Sequence, residues 1–258
     1  MPEICRCCGQ VLGKYIFKAE IFDRLVAFFE CDLCGYVQTE EPDWLDIAYA
    51  SPINISDTGI MERNMSNVSL VLATLITMRS KKSQVVDYAG GYGFLVRLLR
   101  DVGVDAFWAD PYSENLVARG FEFKGFGNPK LVTAFEAFEH FVTPAEELGN
   151  LLKISPNVLL TTNLIPKPSP KPGDWWYYGL EHGQHIGFFR IQTLHYLAQK
   201  FNLHLLTDGH SCHFFSEKKY SYLSWTLFRK IARVFPKILS YNMTSKTFQD
   251  HLSLRQSI

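Results

Sequence analysis

Two residue spacings in this chain could do chemistry, one built on sulfur and one on glycine and carboxylates. Five of the six cysteines precede residue 35, and four form matching C-x-x-C-G knuckles, Cys5-Arg6-Cys7-Cys8-Gly9 and Cys31-Asp32-Leu33-Cys34-Gly35. A two-residue spacer lets both sulfurs face one ion, and the glycine permits the tight turn that aims backbone N–H groups at sulfur. Four thiolates, on Cys5, Cys8, Cys31 and Cys34, point to a structural zinc ion closed to substrate. Cys7 is the spare, since Cys5-x-Cys7 is too short for the same geometry. Disulfides are the alternative, disfavoured in a cytosolic setting.

The second spacing runs through Val85-Val86-Asp87-Tyr88-Ala89-Gly90-Gly91-Tyr92-Gly93-Phe94-Leu95. An apolar β-branched run turns through small residues into a helical pattern at Leu95, Leu98 and Leu99. Glycines let backbone approach a ligand where a Cβ would collide, and the N–H groups of a helix start can hold a polar or anionic group. A dinucleotide fingerprint would need Gly or Ala where Val96 stands. Asp87 instead closes the strand, and the next run, Val104 to Asp110, ends in a second carboxylate. This pattern resembles the first motif of class I S-adenosylmethionine-dependent methyltransferases, acidic-x-G-x-G-x-G, with Ala89 at the first glycine. The resemblance implies S-adenosyl-L-methionine as cofactor, held by Asp87, Ala89, Gly90, Gly91 and Gly93. Asp110, followed by Pro111, would then accept the ribose hydroxyls.

Phe135-Glu136-Ala137-Phe138-Glu139-His140 is similar to the family segment that follows the fourth strand, beside the methionine end of the cofactor. Phe135 and Glu136 are the cofactor contacts it implies. Further on, four prolines (166, 168, 170, 172) make a stiff loop leading to Trp175-Trp176-Tyr177-Tyr178 and then Gly183-Gln184-His185-Ile186-Gly187. Aromatic faces suit sugar rings or planar ligands, so Trp176, Tyr178, Gln184 and Tyr49 are candidates to line an acceptor site. Methyl transfer from a sulfonium asks mainly for in-line positioning, plus a base to take the acceptor's proton. His140, His182 and His185 are the candidates, with His185 first because Gly183 and Gly187 flank it. His210, Cys212 and His213 lack a fourth ligand in reach and read as strand alternation.

Over about residues 3 to 210 the chain resembles methyltransferases of natural-product sugar and polysaccharide pathways that carry an N-terminal zinc-binding domain. Sugar C-methyltransferases of that kind carry a Glu-His pair where this chain has Gln184-His185, and they continue into a second α/β domain for which this chain is too short. The resemblance therefore implies methylation of a hydroxyl, or of a carbon, on a sugar, nucleotide-sugar or polysaccharide-pathway acceptor. The rival from another class is a non-catalytic module of the same fold in a glycan-assembly complex.

The elements that must position these residues follow from pattern. The 258 residues, 47% hydrophobic and 20% charged with zero net charge, can bury one full core plus an accessory unit and argue against a nucleic-acid binder. No apolar run spans a membrane and no signal-peptide pattern opens the chain, so a cytoplasmic protein is expected. The expected fold class is α/β, a doubly wound, mostly parallel Rossmann-like sheet with a small zinc-ribbon-like N-terminal unit. The expected divisions are a knuckle domain over 1–40, a linker (with Pro42, Pro52 and Asp57) and helix over 41–80, the cofactor domain over 81–216, and a basic tail over 217–258. Within the cofactor domain the patterns predict strands at 83–88 and 105–109, a helix at 113–119 and a short third strand near 121–124. In the tail an apolar stripe of Leu223, Leu227, Ile231, Val234 and Ile238 accompanies Lys230, Arg233 and other bases, with Pro236 kinking or ending the helix. That stripe predicts a helix packed on the domain, or one resting on a membrane surface or an anionic carrier.

Overall fold

The computed structural model describes residues 4–50 and 57–256; Pro52 of the expected linker lies outside the described residues. The chain opens with a hairpin, β1 (Lys14–Ile21) and β2 (Arg24–Glu30), turned at Phe22 and Asp23, which both take positive φ. That is the twist a two-residue hairpin turn needs. Strand β3 (Val37–Thr39) and a single helical turn α1 (Leu45–Ala48) follow, then α2 (Ile60–Thr77), β4 (Gln84–Tyr88), α3 (Phe94–Asp101), β5 (Asp105–Ala109) and β6 (Leu131–Phe135). Next come α4 (Pro144–Ile154), opened by proline at its first position, β7 (Asn157–Thr161), β8 (Gly187–Phe188), α5 (Ile191–Lys200), β9 (His204–Thr207) and β10 (Cys212–Ser216). The tail holds α6 (Tyr222–Val234), α7 (Pro236–Leu239) and α8 (Thr247–Arg255).

One sheet has the order β1-β2-β3-β8, and a six-stranded sheet has the order β5-β4-β6-β7-β10-β9. Strand β4 is parallel to β5 and to β6, while β9 and β10 are neighbours joined by four residues, which only an antiparallel pair allows. The sheet is therefore mixed. Two compact units emerge, one of residues 4–50, 136–150 and 160–215, the other of 57–135, 151–159 and 216–256.

In the second unit Val85, Val86, Leu131 and Val132 are fully buried strand residues. The tail is locked by charge: Asp250 on α8 takes bidentate bonds from Arg100 at 2.7 and 2.8 Å, and Arg100 also bonds Asp105. In the first unit Arg190 reaches Glu30, the carbonyls of Ile165 and Pro166 and the Ser169 hydroxyl, which fastens the proline-rich loop to the hairpin.

Three expectations need correction. Residues 113–119 form bends instead of a helix. Asp110 Oδ1 takes the N–H groups of Tyr112 and Ser113, Asn115 Oδ1 takes that of Ala118, and Tyr92 O takes those of Leu116 and Val117. Side chains of this type compete with the helical ladder and here displace it. The third strand shrinks to one bridge, Trp108 to Glu122, because Gly125 and Gly127 turn away with positive φ. In the tail, α6 ends just before Pro236, as expected, but the expected stripe does not face the core: α6 buries Trp225 and Ala232 while Leu223, Leu227 and Val234 face solvent.

Candidate active site

The glycine-rich turn joins β4 to α3 within the second unit. Asp87 is buried at the end of β4, and the Thr133 hydroxyl donates to it at 2.6 Å. Burial pushes its carboxyl up to about 7, and the nearby Asp110 carboxylate adds to the push. The three glycines do different work. A Cβ at Gly90 would meet Trp108 at 2.8 Å, and one at Gly93 would meet Asn115 at 2.7 Å, so both serve packing. Above Gly91 nothing lies within 4 Å, and this is the position open to a ligand. Its backbone is clamped from both sides: its N–H donates to Asp110 Oδ2 at 2.8 Å, and its carbonyl accepts from Trp108 Nε1 at 2.8 Å. Ala89 has φ +58°, a left-handed conformation that explains why glycine is usual there. Glu136, the residue after β6, also takes positive φ (+49°). Pro111 is exposed and Phe135 half-buried.

The histidines come together in the first unit. His140 and His185 rings lie 4.8 Å apart and His182 and His185 4.9 Å apart, edge to face. His185 Nδ1 sits 2.6 Å from the Tyr177 carbonyl, which can only accept, so Nδ1 carries the proton and Nε2 the lone pair. His182 is the reverse: its Nδ1 accepts from the Gln184 N–H at 3.1 Å, which leaves the proton on Nε2. His140 Nδ1 pairs with the Tyr49 hydroxyl at 2.9 Å. Burial, then the neighbouring imidazoles, hold His140 well below the ordinary histidine range, and burial lowers His182 and His185 as well. Three neutral imidazoles result. Beneath them the fully buried Glu139 accepts from the Tyr177 hydroxyl at 2.6 Å, and burial raises it to about 7. At the rim stand Trp176, 76% exposed, and Tyr49, 38% exposed. Glu139, Tyr177, Trp108 and Thr133 were not among the expected site residues; only the Glu139-His140 pair gave a sequence signal.

The family follows from residues 60–208, which match the model of a family described as a methyltransferase domain. That is more than half of the 258-residue chain. The chain belongs to this methyltransferase family. It is an S-adenosylmethionine-dependent enzyme. No curated protein matches it in sequence. Among solved structures it is similar to magnesium protoporphyrin IX methyltransferase from Synechocystis PCC 6803 with bound SAH, at 14% identity and TM-score 0.44, over 67% of this chain and 91% of that one. An O-methyltransferase family protein from Burkholderia thailandensis matches at 12% identity and TM-score 0.44, over 68% of each chain. An O-methyltransferase family 2 protein from Planctomyces limnophilus, in complex with apigenin, matches at 10% and 0.42, over 67% and 66%.

Two side chains expected to meet the acceptor are spent elsewhere in this methyltransferase. Tyr178 is 1% exposed and packs among Phe17, Phe28, Trp175 and Phe188, its hydroxyl donating to the Pro170 carbonyl. Gln184 is buried and donates to the Ala48 carbonyl at 2.8 Å. Flanking glycines answer to packing too, since a Cβ at Gly187 would run into the Tyr36 hydroxyl. His213 uses both ring nitrogens on Thr207 and the Thr162 carbonyl, so the His210–His213 stretch is strand structure.

The cysteines of the methyltransferase pair across its two knuckles, Cys5 Sγ to Cys34 Sγ at 3.6 Å and Cys8 Sγ to Cys31 Sγ at 3.5 Å. Ligands on a tetrahedral ion with sulfur at about 2.3 Å stand about 3.8 Å apart, so these four residues fit one. Both knuckles repeat the same bonds: Gly9 N–H to the Cys5 carbonyl and Gly35 N–H to the Cys31 carbonyl, each 2.8 Å, with both glycines at positive φ. Contact with Cys34, then burial, holds the Cys5 thiol above its ordinary range. Arg6, inside the first knuckle, donates to the carbonyls of Thr39, Glu40 and Ile186, the last at 2.7 Å. It thereby holds the residue next to His185.

Proposed function

We propose that this methyltransferase moves the methyl group of S-adenosyl-L-methionine to a hydroxyl of a sugar or related small acceptor, with His185 as the general base. One observation carries this reading: the Tyr177 carbonyl fixes the proton of a buried, neutral imidazole on Nδ1, so Nε2 offers a lone pair. His182 cannot offer Nε2 in its bonded tautomer. His140 stands second, braced by Tyr49. The exposed Trp176 and Tyr49 supply aromatic faces of the kind sugar rings stack on. Asp87, Gly91 and Asp110 would hold the cofactor, which supplies the activated methyl group; Asp110 offers the ribose a carboxylate and keeps the Gly91 backbone in place. Cys5, Cys8, Cys31 and Cys34 would hold a zinc ion, whose contribution is a cross-link between the knuckles, closed to substrate.

Incubation with S-adenosyl-L-methionine and a panel of hydroxylated sugars and nucleotide-sugars, read by mass spectrometry, tests the acceptor class. One O-methylated product is expected, formed about 10²–10⁴-fold more slowly by His185→Ala. A carbon-linked methyl product, or normal turnover of His185→Ala, contradicts the reading.

The solvent-facing Leu223, Leu227 and Val234, beside the exposed Lys230 and Arg233, further support contact between the tail and an anionic membrane surface. Co-sedimentation with phosphatidylglycerol vesicles is expected, lost on Leu227→Glu and absent with neutral vesicles. Equal binding by Leu227→Glu sinks that contact.

A further inference from the structure

The methyl-transfer reading uses one lone pair of the histidine cluster and leaves a carboxylate oxygen unexplained. Glu139 is fully buried; its Oε1 accepts from Tyr177, but its Oε2 has no hydrogen-bond partner. A bare carboxylate oxygen away from water is costly unless a cation or donor meets it. Beside it are two imidazoles: one donor atom each from Glu139, His140 and His185 all lie within 4.8 Å of one another. Ligands held at about 2.0–2.2 Å from one ion stand about 3–3.5 Å apart, a span that small side-chain rotations reach from this arrangement.

Each of the three side chains is already braced on an atom of its own. Tyr177 serves twice, through its hydroxyl to Glu139 and its carbonyl to His185 Nδ1, both at 2.6 Å. Tyr49 holds His140 Nδ1 at 2.9 Å. Such an outer ring, with Nδ1–H on a backbone carbonyl and a carboxylate held by a donor, is what orients metal ligands in general. Two neutral imidazoles and one carboxylate suit first-row divalent ions, and they leave coordination positions open.

We propose that Glu139, His140 and His185 form a second metal site, for a divalent first-row transition ion, distinct from the thiolate knuckles. Filling it silences the enzyme by taking the lone pair that His185 offers the acceptor. The silencing rests on His185 being the base; the binding does not.

The test is a cobalt(II) titration of the full-length protein with its knuckles already loaded with zinc. Ligand-field bands should appear in the visible and saturate at one cobalt per chain, without the near-ultraviolet thiolate-to-cobalt charge transfer of a cysteine site. Methyl transfer should fall along the same curve. Glu139→Gln and His185→Asn should each weaken cobalt binding at least about tenfold, and Tyr177→Phe, which removes only a brace, about 10–100-fold. No bands at millimolar cobalt, or bands unchanged in Glu139→Gln and Tyr177→Phe, overturn the site. Bands with undiminished turnover overturn the silencing. Failure of the base assignment reads differently: His185→Ala would turn over normally in metal-free buffer while the wild-type cobalt bands remain.

Discussion

Asp87 shows how a single residue can be tuned against the fold that holds it. Its carboxyl is raised to about 7 by burial, with Asp110 adding to the push. The folded state therefore keeps a proton that the unfolded chain has already lost, and stability falls as pH rises between about 4 and 7, then levels. A displacement of that size is worth at most about 4 kcal/mol. Asp87→Asn removes the ionisable group, so its stability relative to wild type should climb across that window. Denaturant midpoints at pH 4, 6 and 8 check this, and a difference that stays flat would contradict it. Ala89 carries a smaller strain. A left-handed φ costs a residue with a Cβ about 1–2 kcal/mol, and glycine gives back about 0.4–1 kcal/mol of unfolded-state entropy. Ala89→Gly should thus gain about 0.5–1 kcal/mol; a lower melting temperature would show that the side chain packs in a way that outweighs the backbone.

At the scale of elements, the readable parts of the sequence were those with local periodicity or paired spacing. Strands β4 and β5, helix α3 and the knuckles announce themselves because strand alternation, glycine turns and C-x-x-C-G are local patterns. The failed helix at 113–119 did not, because Tyr92 O and Asp110 from outside the segment, and Asn115 within it, capture its backbone N–H groups. Tyr178 and Gln184 looked like acceptor residues for the opposite reason: an aromatic or amide in a loop reads the same whether it faces a ligand or, as here, a core cluster and a carbonyl. The Glu139–Tyr177 pair spans 38 residues and could not be read from spacing. The knuckle element also makes a prediction. Cys8→Ser should lose its metal and, through the Arg6 bond to Ile186, loosen the 183–188 loop in hydrogen exchange. Cys7→Ser should keep both metal and loop protection. Identical behaviour of the two mutants would show that the ligand set is wrong.

Over the whole molecule, among the described residues no helix is long and apolar enough to cross a membrane. Of the residues proposed to hold the methyl donor, Asp87, Gly91 and Asp110 lie in the second compact unit, whereas Glu136 falls in the first, with the three imidazoles. The proposed function assigns donor binding to Asp110 and proton removal to His185, and paired measurements on two variants separate those roles. Asp110→Ala removes a charge-assisted hydrogen bond worth about 1.5–3 kcal/mol, so its affinity for S-adenosylhomocysteine by calorimetry should fall about 10–100-fold. With saturating donor its turnover should stay within severalfold of wild type. His185→Ala should behave in the opposite way, with affinity within severalfold and turnover down by about 10²–10⁴. Two variants that lose affinity and turnover together, or a His185→Ala enzyme that turns over normally, would contradict the account.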